Sequence, residues 1–389
     1  MTPQSAEPPQ QRSAISADRI FDGYRWHDNA AVVIRHGLIE GIVARGQIIP
    51  EASTEAMPAG TLLAPGFIDL QVNGGGGVLL NDDPSPQAMR AIARAHRRTG
   101  TTGCLPTLIS DHRAKAIAAI AAAKSCVGSD GILGLHLEGP FISPARAGIH
   151  RRDCIVAATT GDLEWLAQLS EAGSSLVTPA PECVPHGFIK ALASRGIRVS
   201  AGHSEASSDV VSAAIEDGLS GVTHLFNAMP AMSARAPGIV GVALAESRLT
   251  AGIILDGIHV DPLVARTAFA AKPRDTMALV SDAMPTVGTE QDRFDLMGRQ
   301  IRLCDGRLVS DEGTLAGAHL NLASAVKNAV TLVGLSLHDA LRAASLAPAR
   351  FLGLERERGT LTTGARADIV ALTADLAVVA TWLGGERAV

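Results

Sequence analysis

The chain is 389 residues long, 47% hydrophobic and 19% charged, with a formal charge of −5. That is long enough for one large domain plus a small one and apolar enough for a sizeable core, which excludes global disorder. The mild negative charge, the lack of a basic stripe and an aromatic content of 3% exclude a nucleic-acid surface and a stacking-based glycan surface.

Residues 1–14 are polar and rich in Pro and Gln, with no apolar stretch of the kind a secretory signal needs. They read as a disordered tail. Residues 15–62 carry short apolar runs broken by turns, such as Ala30-Ala31-Val32-Val33-Ile34 and Leu38-Ile39-Glu40-Gly41-Ile42-Val43, the pattern of short strands. Residues 355–389 read the same way. The two ends together predict one small β-sandwich domain built from both termini.

Residues 63–354 alternate between strand-like and helix-like stretches. Candidate strands lie at 61–72, 101–108, 132–137, 175–178, 197–201, 221–225, 251–255 and 277–281. Candidate helices lie at 86–99, 113–126, 161–172, 187–195, 207–217 and 262–271, with two more at 320–332 and 337–344. Eight strands alternating with helices predict an α/β fold, a (β/α)8 TIM-like barrel. A doubly wound open sheet is the rival, but no G-x-G-x-x-G follows the first strand. No apolar run reaches the roughly 18 residues of a membrane span. The five cysteines are odd in number and show no C-x-x-C spacing, which fits reduced thiols and a cytoplasmic setting.

The polar residues that stand out sit at strand ends. Glu138 follows Leu135-His136-Leu137, His203 follows Ala201-Gly202, His224 follows Gly221-Val222-Thr223, His259 follows Asp256-Gly257-Ile258, and Asp282 follows Leu279-Val280-Ser281. In a barrel all strands are parallel, so their carboxyl ends open on one face. A carboxylate and two imidazoles there suit Zn2+ with one position left for water. A further carboxylate, Asp282, can move that water's proton. This is the logic of metal-assisted amide hydrolysis. A lone His at a strand end is more often structural; the joint placement of Glu, His, His and Asp reverses that reading.

The sequence resembles the N-acetylglucosamine-6-phosphate deacetylases of the amidohydrolase superfamily. The matching stretches are Ala64-Pro65-Gly66-Phe67-Ile68-Asp69-Leu70-Gln71-Val72-Asn73-Gly74, His136-Leu137-Glu138-Gly139-Pro140-Phe141, Ala201-Gly202-His203-Ser204 and Thr223-His224-Leu225-Phe226-Asn227-Ala228-Met229. Asp256-Gly257-Ile258-His259-Val260-Asp261, Ser281-Asp282-Ala283-Met284 and Gly313-Thr314-Leu315-Ala316-Gly317 follow in the family's order. The resemblance implies deacetylation of N-acetyl-D-glucosamine 6-phosphate to glucosamine 6-phosphate and acetate. It implies Glu138, His203 and His224 as metal ligands, Asp282 as general acid/base, and His150 as a residue that polarises the acetamide carbonyl. Ile149, Asn227, Ala228, His259, Leu315, Ala316 and Gly317 are implied to contact substrate. Arg235 is implied to meet the phosphate across a homodimer interface.

Where many amidohydrolases carry His-x-His, this first strand has Gln71 and Asn73, and neutral amides are poor Zn2+ ligands beside imidazoles. One tightly held divalent ion per chain is therefore expected, Zn2+ first, with Fe2+, Co2+ or Mn2+ as alternatives. The loop 230–237 keeps Arg235 but lacks the acidic residue that usually follows, which leaves N-acetylgalactosamine 6-phosphate as an alternative substrate. A hydantoinase- or dihydroorotase-like amidase would need His-x-His and a bridging Lys. A scaffold barrel would not need the four strand-end residues together. His136 is expected to be a packed, hydrogen-bonded interior residue, and Cys104 a core residue. His27, His36, His96, His112, His186 and His338 are expected on the surface or in loops. His319 is a weaker candidate for substrate contact. The run Gly74 to Gly77 is expected to be a tight loop.

Overall fold

A computed structural model describes residues 12–47, 49 and 52–389. Eight parallel strands form the central sheet: Phe67–Val72, Thr101–Ile109, His136–Glu138, Leu176–Thr178, Arg198–Ala201, Gly221–Val222, Thr250–Ile253 and Met277–Leu279. Each pairs with the next in chain order. The bridge Val72↔Ala283 and the bond from Asp282 N to Gln71 O at 3.0 Å join the eighth strand end to the first. The result is the expected TIM-like barrel. Its strands are buried on both faces, so they read as apolar runs rather than alternating ones. Their polar residues cluster at the carboxyl ends, where the chain leaves the sheet.

Some of the helices between strands start on side-chain caps. Ser85 caps Pro86–Arg97 by accepting from Ala88 N, with Pro at the first helical position, and Ser207 caps Ser208–Glu216 by accepting from Val210 N. The expected helix at 161–172 is in fact an α-helix, Asp162–Leu166, continued by a tighter 3-10 turn, Ala167–Glu171. The helix Gly238–Ala245 was not predicted: Gly-Ile-Val-Gly-Val-Ala-Leu-Ala has no polar face to reveal a period.

The small domain is one mixed sheet. Arg12–Phe21 pairs with Trp26–Arg35, with Leu62–Pro65 and with Ala52–Ala56, while Ile369–Leu372 pairs antiparallel with Leu62–Pro65. Both ends of the chain thus share one sheet, whose core includes Ile15, Val32, Ile39, Leu63, Ile369 and Trp382. Two expectations are corrected. The stretch 61–72 is not one strand: it breaks at Gly66, and 62–65 joins the small sheet while 67–72 opens the barrel. A β-carbon at Gly66 would lie 2.2 Å from Thr102 Oγ1, so only glycine lets the chain cross there. Residues 12–14 belong to a strand rather than a tail; residues 1–11 lie outside the described residues.

A second antiparallel sheet was not anticipated. Arg293–Leu296, Arg299–Cys304, Arg307–Ser310 and Leu315–Ala318 form a four-stranded meander after the eighth barrel strand. Leu296, Ile301, Leu308 and Ala316 on its inner face pack with Leu79, Ile109, Ile149 and Met284 at the carboxyl-end face of the barrel. The meander therefore stands over the mouth of the barrel.

Candidate active site

The carboxyl ends of the strands surround a cleft of about 380 Å³, within the roughly 300–1,000 Å³ of small-molecule sites. Glu138, the last residue of its strand, His203 and His224 meet at the floor. Glu138 Oε1 lies 3.2 Å from His203 Nε2 and 2.8 Å from His224 Nε2, and the two nitrogens are 3.1 Å apart. His203, His224 and Asp282 all have left-handed backbones, with φ of 48°, 31° and 50°. Such turns are costly for residues with a β-carbon and gather at functional sites. Here they swing the side chain from the strand end toward the barrel axis.

The surroundings set the tautomers. His203 Nδ1 donates to the carbonyl of Arg146 at 2.8 Å, which leaves the lone pair on Nε2 facing Glu138 and His224. Burial works against charge on Glu138, yet the adjoining imidazoles of His203 and His224 hold its carboxyl well below the usual range. Burial also opposes charge on His224, and Glu138 outweighs it, raising the imidazole. One carboxylate oxygen and two imidazole nitrogens facing one point form a donor set that fits a single divalent cation.

Gln71 and Asn73 point at the same centre as donors. Gln71 Nε2 bonds Glu138 Oε2 at 3.0 Å and Asp282 Oδ1 at 3.1 Å, and Asn73 Nδ2 bonds Asp282 Oδ1 at 2.6 Å. Their amide oxygens, Gln71 Oε1 and Asn73 Oδ1, are buried without a partner among the described residues. Burial and then the nearby Glu138 charge push Asp282 up to about 6, poised to take and give a proton.

His150 lines the opposite wall, its ring 4.4 Å from that of His203. The backbone N–H of Ser110 donates to His150 Nδ1 at 3.3 Å, and Ser110 Oγ lies 2.8 Å from the same nitrogen. The proton of the neutral ring therefore sits on Nε2. Burial first, and then the neighbouring His203, lowers this imidazole to about 3, so it is a neutral N–H donor at ordinary pH. A ligand atom of His150 also lies within 4.8 Å of those of Glu138 and His203. His259 donates from Nδ1 to Asp256 Oδ2 at 2.6 Å, leaving Nε2 without a hydrogen bond among the described residues.

Of the expected substrate contacts, Ile149, Asn227, Ala228, His259, Leu315 and Gly317 line the cleft. Ala316 does not: its side chain is fully buried in the core under the meander. Arg235 is exposed in the loop after Met229 and does not line the cleft of its own chain. His319 is exposed, bonded to Thr286 Oγ1, and outside the lining. His96, expected at the surface, is fully buried and bonds Gly74 O at 2.9 Å. His136 is buried between Thr178 Oγ1 at 2.8 Å and Thr107 Oγ1 at 3.4 Å, below the metal-type cluster. Ser110, the Arg146 carbonyl and Asp256 were missed. Asp256 had a signal, its three-residue spacing from His259; Ser110 and Arg146 act through groups every residue or many serines carry.

The family model described as "Amidohydrolase family" matches residues 62–388. An N-acetylgalactosamine-6-phosphate deacetylase of a Shewanella species is 40% identical over 369 residues, covering 92% of this chain and 91% of that protein. The crystal structure of an N-acetylglucosamine-6-phosphate deacetylase from Pasteurella multocida superposes with a TM-score of 0.92 at 33% identity, covering 97% of this chain and 99% of that one. A variant of the Mycobacterium smegmatis N-acetyl-D-glucosamine-6-phosphate deacetylase in complex with N-acetyl-D-glucosamine 6-phosphate gives 0.89 at 30% identity, covering 97% and 100%. The chain belongs to the amidohydrolase family and, within it, to the N-acetylglucosamine-6-phosphate deacetylases.

Proposed function

We propose that the enzyme hydrolyses the acetamide of N-acetyl-D-glucosamine 6-phosphate, giving glucosamine 6-phosphate and acetate. The observation that carries this reading is the meeting of Glu138, His203 and His224 with Asp282 and a neutral His150 in one cleft. A divalent ion held by Glu138, His203 and His224, Zn2+ by preference, would supply an activated water and polarise the carbonyl. Asp282 accepts the water's proton and then returns it to the sugar nitrogen, because an unprotonated amide nitrogen leaves poorly. His150 donates its Nε2–H to the carbonyl oxygen as negative charge develops there. Ile149, Asn227, Ala228, His259, Leu315 and Gly317 shape the sugar site, with the peptide at Ala316 between the last two.

Arg235 is assigned to the phosphate of a substrate bound to a second copy in a homodimer. Its exposed position supports this, as does the apolar patch beside its loop, where Met229, Met232, Val240, Leu244 and Val264 border a shallow cavity. The five unpaired cysteines support a cytoplasmic setting. No helix among the described residues is long and apolar enough to cross a membrane.

N-acetylgalactosamine 6-phosphate is a second reading, favoured by the name of the Shewanella relative. Amine release from N-acetylglucosamine and N-acetylgalactosamine, each with and without the 6-phosphate, separates the readings. The expected result is the highest kcat/KM on N-acetylglucosamine 6-phosphate and little rate on either plain sugar. Higher kcat/KM on the galacto substrate would transfer the assignment to it. Equal rates with and without phosphate would overturn both.

A further inference from the structure

The cleft leaves a second cluster of metal-type side chains unused. Asp111, His112 and Cys154 each present a ligand atom, and these atoms lie within 4.8 Å of one another. Asp111 and His112 connect the second barrel strand to helix Arg113–Cys126, while Cys154 ends the 3-10 turn Arg152–Cys154. A crevice of about 260 Å³, walled by Pro140, Phe141 and Trp165, opens over all three. Asp111 Oδ2 accepts from Lys115 Nζ at 2.8 Å and Asn81 Nδ2 at 3.1 Å, whereas Oδ1 accepts only the backbone N–H of His112 at 2.8 Å. The exposed His112 ring makes no hydrogen bond among the described residues. Three neighbouring cations are already engaged: Arg113 with Asp162, Arg151 with Asp153, and Lys115 with Asp111 itself.

We propose that Asp111, His112 and Cys154 form a second metal site, separate from the catalytic one and suited to a thiophilic ion such as Zn2+ or Cd2+. A thiolate, an imidazole and a carboxylate from three side chains leave one position for water. Binding replaces the thiol proton of Cys154, which passes to solvent. The site flanks His150 on both sides. Asp111 follows Ser110, which holds His150 Nδ1, and Cys154 comes four residues after His150. An ion here ties together the two backbone segments that fix the orientation of that ring.

The test uses the full chain carrying one equivalent of Zn2+ in its catalytic cleft, titrated with cadmium chloride. The ultraviolet thiolate-to-cadmium charge-transfer band is the readout, because the catalytic cleft is lined by no cysteine. The expected result is one further equivalent bound with growth of the band. Cys154→Ser abolishes the band and Cys304→Ser preserves it. His112→Ala, an exposed change, raises the cadmium Kd at least about tenfold. No band in the wild type, a band that survives Cys154→Ser, or wild-type affinity in His112→Ala would each overturn the site. These signals are read without substrate, so they stand apart from the outcome of the deacetylation assay, on which the catalytic reading depends.

Discussion

Asp282 carries the heaviest demand at the scale of single residues. Among the described residues it has no hydrogen bond from a cationic group and is held instead by two neutral amides, Gln71 and Asn73. Amide donors orient a carboxylate without adding a charge that would bar it from taking a proton. Asp282→Asn keeps the shape and loses the proton carrier. The expected outcome is a fall in kcat of about 10² or more, with metal content by elemental analysis unchanged. Loss of metal, with rate restored by added Zn2+, would instead make Asp282 a ligand. The strand-end acids and imidazoles were legible in the sequence because apolar strands make a terminal polar residue conspicuous. Ser110 was not legible. It orients His150 through a backbone N–H and a hydroxyl, and neither leaves a distinctive residue type at a distinctive spacing.

Among the elements, the meander Arg293–Ala318 has the most to do with the site that its sequence did not announce. Gly317 sits with φ of 60°, and a β-carbon there would lie 2.7 Å from Met284 Cε and 2.9 Å from the carbonyl of Asp282. Ala318 N donates to that same carbonyl at 2.8 Å. The last strand of the meander therefore lies directly against the backbone of Asp282. Gly317→Ala should destabilise the protein by about 1–3 kcal/mol and lower kcat, read by urea unfolding and steady-state kinetics. Wild-type stability and rate would show that the contact relaxes freely. The barrel was legible because each buried strand is a compact apolar run and the stretches between them read as helices. The meander was overlooked because half of its residues face solvent, as in Arg299-Gln300-Ile301-Arg302-Leu303-Cys304. Its turns did carry a signal: Asp305-Gly306, with φ of 49° and 78°, is the two-residue hairpin pair that favours left-handed backbone. Gly66 explains the other miss, since one continuous apolar stretch feeds two different sheets.

Over the whole molecule, a barrel supplies the rigid floor and both chain ends fold into one sheet beside it. What a single chain does not bring to its own cleft is Arg235. If a second copy supplies that guanidinium, Arg235→Ala should raise KM for phosphorylated substrate at least about tenfold, leave kcat near wild type and leave plain sugar unaffected, the pattern of lost uniform binding. An unchanged preference for phosphate would remove Arg235 from the site. The central claim is that one divalent ion at Glu138, His203 and His224 supports amide hydrolysis, with Gln71 and Asn73 unable to hold a second. It is tested most directly by stripping the Cys154→Ser variant, which lacks the thiolate of the proposed second site, with a chelator and following acetate release as Zn2+ is returned in measured equivalents. The account predicts negligible rate in the stripped enzyme, a linear rise, and a plateau at one equivalent per chain. Full rate in the stripped enzyme, or a rate that keeps rising to two equivalents, would contradict it.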